Sequence, residues 1–170
     1  MKKLLPALAL VLPSFLGQAS SLTLDIEIPQ LDVAEYHAPY VAVWLQSKDR
    51  KQLTNLALWY DLEMKNGKGE EWLKDIRQWW RHSGRSLEFP VDGFSGATRK
   101  AGKYSLSFDK SQLDLDSLPD GEYRILVEAV REVGGREMLK LPLTLPITSN
   151  QDLSVQGKKE LGKVTASLAP

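Results

Sequence analysis

A mainly β fold, two sheets packed as a sandwich with one short helix, is what this sequence predicts, and three observations carry that expectation. Apolar and polar residues alternate with a period of two in stretch after stretch, and turn residues stand between the stretches. Only one segment shows the three- and four-residue spacing of a helix. Short strands, short turns and a single helical patch point to a β-sandwich of immunoglobulin-like type.

The elements follow in chain order. Lys2 and Lys3 precede an apolar run from Leu4 to Leu16, and the small residues Gly17 and Ala19 stand where a signal peptidase reads. Residues 1–19 are therefore expected to be a cleaved signal peptide, since the run is shorter than the roughly 20 residues a bilayer core demands and holds Pro6 and Pro13. A sandwich domain is expected over 20–147, and a C-terminal tail or edge strand over 148–170. Leu22, Leu24, Ile26 and Ile28 alternate with Thr23, Asp25 and Glu27 in a first strand. Tyr40 to Leu45 and Leu53 to Tyr60, joined by the polar turn Lys48-Asp49-Arg50, read as a hairpin. Trp72, Leu73, Ile76, Trp79 and Trp80 share one face of a short helix between Glu70 and Arg81, with Asp75 and Arg77 turned to water.

A loop is expected from His82 to Ala101. Tyr104, Leu106 and Phe108 then form a strand, Pro119-Asp120-Gly121 a turn, and Tyr123 to Ala129 a further strand. Gly134-Gly135 supply another turn before a strand from Glu137 to Leu145. The cluster Arg131, Glu132, Arg136 and Glu137 reads as a charged turn rim. Val155, Leu161 and Val164 could add an edge strand or fray.

Composition narrows the function classes. There is no Cys, which removes disulfides, thiolate metal sites and thiol catalysis. Acidic and basic residues balance at 22 each, leaving no net field to recruit nucleic acid. The two His residues, His37 and His82, have no metal-ligand spacing, so neither a metal nor a catalytic residue is expected. Ser95 lacks the Gly-x-Ser-x-Gly setting of a hydrolase nucleophile. Asp114 and Asp116 lack the Gly and Glu positions of a calcium loop.

One segment carries chemistry: Asp92-Gly93-Phe94-Ser95-Gly96-Ala97-Thr98. At Asp92, Ser95, Gly96, Ala97 and Thr98 it resembles the acceptor motif of proteins modified by the bacterial flavin transferase. The resemblance implies that flavin mononucleotide (FMN) is joined through its phosphate to the hydroxyl of Thr98. Five constrained positions match by accident on the order of once per thousand chains of this length. The residue types suit such a role, because a hydroxyl is a weak nucleophile and must be brought to a base and a metal in the transferase cleft. Gly93, Gly96 and Ala97 add little bulk to the approaching backbone, while Asp92 and Ser95 can hydrogen-bond nearby backbone groups and shape the turn. Arg99 and Lys100 could pair with the phosphodiester, and Trp79, Trp80 and Phe94 are the nearest aromatics that could cover the ring.

Most of the chain after residue 19 is also similar to a family of periplasmic proteins known as domain of unknown function 2271. The similarity rests on Ala38-Pro39-Tyr40-Val41-Ala42-Val43-Trp44, Leu56-Ala57-Leu58-Trp59, Trp79-Trp80, Ser95 to Arg99, Pro119 to Tyr123, Glu128-Ala129 and Gly134-Gly135-Arg136-Glu137. It implies a periplasmic location and an association with flavin transfer and membrane redox proteins. The expectation is thus an exported electron carrier, its partners a flavin transferase and, as a candidate, a membrane redox protein, without a membrane span of its own. The competing expectation is a cofactor-free immunoglobulin-like binding or assembly module that uses a sandwich edge or an aromatic loop.

Overall fold

The computed structural model describes residues 20–170; the signal peptide expected over residues 1–19 lies outside the described residues. Among the described residues nine strands form two sheets: β1 (Ser21–Ile28), β2 (Tyr40–Ser47), β3 (Leu53–Tyr60), β4 (Ser95–Ala97), β5 (Gly102–Phe108), β6 (Gly121–Val130), β7 (Arg136–Leu145), β8 (Gln151–Gln156) and β9 (Lys163–Ala169). One sheet has the order β5-β1-β9-β8, the other β4-β3-β2-β6-β7. The fold is mainly β and a two-sheet sandwich, as the alternation requires.

Leu22, Leu24, Ile26 and Ile28 of β1 face Val41, Val43 and Leu45 of β2 and Ile125, Val127 and Ala129 of β6 across the inter-sheet core. β2 is buried on both faces, because Ala42 and Trp44 point the other way into a second core. That core lies between the outer face of the five-stranded sheet and a helical layer built from residues 64–94, which contributes Leu73, Ile76, Trp79, Leu87, Phe89 and Phe94. β7 lies at a sheet edge, which is why Pro142 is tolerated within it: the missing N–H faces no neighbouring strand.

Four expectations need correction. The helix expected over Glu70 to Arg81 is two short helices, α1 (Lys68–Glu71) and α2 (Arg77–His82), separated by a 3-10 turn at Leu73–Asp75 and by the non-helical Ile76. Within this stretch the buried residues are Leu73, Ile76 and Trp79, at a spacing of three. Trp72 is turned out, to 44% exposure. The loop expected from His82 to Ala101 contains β4, which pairs in parallel with β3. Parallel pairing needs a long crossover, and the helical layer between Tyr60 and Ser95 is that connection.

The segment 148–170 supplies β8 at the edge but also β9 in the interior of its sheet, between β1 and β8. Val164, Ala166 and Leu168 complete the inter-sheet core, so this is not a frayed tail. The charged rim expected at 131–137 holds only in part: Glu132 and Arg136 are exposed, but Arg131 is buried. Arg131 and Glu160 form an ion pair with Nε–Oε2 at 2.8 Å and side-chain exposures of 6% and 5%. Gly134 and Gly135 make room for it: a Cβ on the first would strike the Arg131 guanidinium, and one on the second the Glu160 carboxylate.

Glu137 accepts backbone N–H groups from Lys158, Lys159, Glu160 and Leu161, tying the β6–β7 hairpin to the β8–β9 turn. Burial works to raise this carboxyl, but the backbone donors outweigh it and hold the group below its ordinary value of 4.5. A depressed folded-state value means stability that is fully present above pH 4.5 and lost as the pH falls through the lowered value. Glu137→Gln is therefore expected to lower the urea midpoint near neutral pH, with the gap to wild type closing as the pH falls below 4.5 and through the lowered value. A gap of constant size across that range would contradict the assignment.

Candidate functional site

Thr98 stands at the end of β4, where the five-stranded sheet opens. Leu58, Trp59 and Tyr60 of β3 lie beside Ser95, Gly96 and Ala97. The Leu58 N–H donates to the Phe94 carbonyl (2.8 Å) and the Thr98 N–H to the Tyr60 carbonyl (3.1 Å). The preceding turn is closed on itself, since the Ser95 N–H donates to the Val91 carbonyl (3.1 Å) and the Val91 N–H to Ser95 Oγ (3.0 Å). Gly93 has a φ of +90° with open space around it, so its role is conformational. A Cβ on Gly96 would meet Trp59 at an ordinary 3.6 Å, so no steric demand fixes glycine there.

Asp92, Gly93 and Ala97 are exposed; Ser95, Gly96 and Thr98 are half-buried. Thr98 thus sits not in a loose loop but one residue beyond a three-residue edge strand, pinned by its own amide. Its side chain faces a pocket of about 290 Å³. The hydroxyl takes part in none of the side-chain hydrogen bonds found among the described residues.

Five segments that are far apart in the sequence build this pocket. His37, Ala38 and Tyr40 come from the entry to β2, Asp61 and Met64 from the exit of β3, and Trp72 and Asp75 from the helical layer. Val130 to Val133 come from the β6–β7 turn, and Thr98 closes the wall. Gly69 lets the helical layer press onto the sheet here, because a Cβ at that position would collide with the Asp61 carbonyl. The His37 Nε2 lies 3.0 Å from Glu35 and its Nδ1 lies 3.7 Å from Glu132. Burial raises the Tyr40 phenol above its ordinary 10.0, partly opposed by a backbone hydrogen bond from Asp61, so the hydroxyl stays neutral.

The flanking cations divide. The Arg99 guanidinium lies 5.5 Å from the ring centroids of both Trp59 and Tyr104, held by cation–π contacts rather than extended toward Thr98. Lys100 is exposed and joins no ion pair among the described residues. The aromatics expected to cover a ring fare differently from one another. Trp79 is wholly buried and donates its indole N–H to Asn55 Oδ1 (2.8 Å); Trp80 stacks on Phe89, and Phe94 packs into the second core. The aromatic groups that do reach the pocket are Tyr40 and Trp72. The sequence places Trp72 on the helical face, where core or lid packing is the expectation over a ligand role, and gives no signal for Tyr40, Asp61 or Val133 at a site; the structure sets Trp72 apart by its 44% exposure.

Among the described residues no group of three or more His, Cys, Asp or Glu side chains converges as a metal site. No helix among them is long and apolar enough to cross a membrane. No curated protein and no solved structure matches the chain significantly. A family model described as "Predicted periplasmic protein (DUF2271)" matches residues 21–163, and the chain belongs to that periplasmic family.

Proposed function

We propose that this protein is a periplasmic electron carrier bearing FMN covalently on Thr98, attached by a flavin transferase. The observation that supports it most is the position of the Thr98 hydroxyl: unbonded, half-buried on a pocket wall, and at the end of an edge strand of only three residues. The motif around it is the other support. FMN would supply the redox chemistry, and the protein the attachment, the polarity around it and a surface for its partners. Lys100, exposed and two residues from Thr98, is the neighbouring cation left to pair with a phosphodiester there, since Arg99 is held by Trp59 and Tyr104.

Entry of Thr98 into a transferase requires β4 to leave β3. That opening breaks a short parallel pairing at a sheet edge and leaves the two cores intact, so it belongs among the low-cost local openings of a folded domain. The test is co-expression of the mature chain with a flavin transferase. Wild type and Thr98→Ser should emerge yellow and heavier by one FMN, whereas Thr98→Ala should emerge colourless, unmodified and within about 0.5 kcal/mol of wild-type stability. Yellow, FMN-bearing Thr98→Ala protein would refute the assignment of the acceptor.

A further inference from the structure

We infer that the pocket beside Thr98 is the seat of the flavin ring, with Trp72 as the face it stacks on and the phosphate left outside. This rests on FMN being attached to Thr98. The pocket's volume of about 290 Å³ lies at the lower bound of ligand pockets, about 300 Å³, which suits a planar ring and not a whole nucleotide.

Its lining separates the same two parts of the molecule. Asp61, Asp75 and Glu132 bring carboxylates, Glu132 with His37 Nδ1 3.7 Å away, and the one permanently charged cation among the lining residues, Arg131, is already paired with Glu160. An acidic wall repels a phosphate and accepts a neutral heteroaromatic ring. The phosphate then stays at the rim with Thr98 and Lys100.

Two apolar side chains stand unsheltered at the pocket, Trp72 at 44% exposure and Val133 at 80%. Val133 also has a φ of +53°, a left-handed conformation that a β-branched residue adopts only under strain. Backbone strain of this kind gathers at ligand clamps. A ring lying between Tyr40, Trp72 and Val133 would cover apolar surface that the chain otherwise holds in water.

The test uses the mature protein after co-expression with a flavin transferase, with intact mass read beside flavin fluorescence. Stacking on an indole quenches the flavin, so wild type should be dim and poorly accessible to iodide. Trp72→Ala should gain several-fold in fluorescence and in iodide quenching at unchanged mass, while Trp72→Phe should keep much of the protection. Trp72 is exposed enough for both variants to fold. FMN-bearing wild type that is bright, open to iodide and indifferent to Trp72→Ala would overturn the seat and leave the attachment standing. An unmodified wild-type mass would overturn both.

Discussion

Trp79→Ala is expected to destabilise the protein by about 3–5 kcal/mol, the range for removing a fully buried large aromatic side chain. Trp79 has no exposed surface and sits at the centre of the second core, 6.0 Å from Phe89 and 6.4 Å from Trp80 between ring centroids. Its indole N–H also satisfies Asn55, whose amide nitrogen in turn donates to Ser83 (2.8 Å), so truncation leaves a half-buried acceptor without its donor. At about 2–4 °C per kcal/mol for a domain of this size, Tm should fall by roughly 10 °C. The loss should centre on the helical layer and therefore on the pocket, because Trp72 and Asp75 are carried by the same segment. Calorimetry beside Trp72→Ala is the check: a shift of similar size in both variants would contradict the assignment of Trp79 to the core and Trp72 to the surface.

The second large effect concerns the buried pair. Glu160→Ala is expected to cost about 3–5 kcal/mol, since it strands the Arg131 guanidinium in a site from which water is excluded. It also removes the acceptor of the Gly135 N–H, now 2.7 Å from Glu160 Oε1. Replacing both partners together, Arg131→Met with Glu160→Leu, should recover most of that loss, because the cost lies in the unpaired charge more than in the missing attraction. Urea titration of Glu160→Ala, of the single variants Arg131→Met and Glu160→Leu, and of the double variant measures it. A double variant as unstable as the sum of the singles would show that the pair acts through something other than charge compensation.

Glu128 shows why part of this architecture was hidden in the sequence. It reads as one more polar residue in an alternating strand, yet it is fully buried and accepts N–H donors from Gln78 and Trp79 as well as Arg136 Nε. Its partners lie 50 and 49 positions upstream and 8 downstream, so only the folded chain reveals that β6 anchors the start of α2.

What could be read directly were the strands whose apolar face meets the inter-sheet core. Period-two alternation locates β1, β5 and β6, and apolar runs between turn residues locate β2, β3 and β7, with the β2–β3 and β6–β7 turns between them. What could not be read was whatever tertiary contact decides. β4 is three residues long, carries no alternation and exists because the crossover returns it to the side of β3. β9 has the right period but small and polar residues, Thr165, Ala166 and Ser167, and its interior place follows from pairing with β1. The Arg131–Glu160 pair spans 29 positions.

The candidate site divides in the same way. The segment Asp92 to Thr98, on which the proposal rests, is contiguous and can be picked out as a string of residues. The pocket draws on five segments, so no spacing announces it. Trp72 looked like one more residue on a helical face until the chain was seen to change from α to 3-10 geometry at Leu73 and turn the indole outward.

The most direct test of the central claim is fragment mass spectrometry of the tryptic peptide that contains Thr98, taken from protein co-expressed with a flavin transferase. The account predicts a peptide heavier by one FMN, with the fragment series placing the added mass on Thr98. Full recovery of that peptide at its unmodified mass, or an adduct on any other residue, would contradict it.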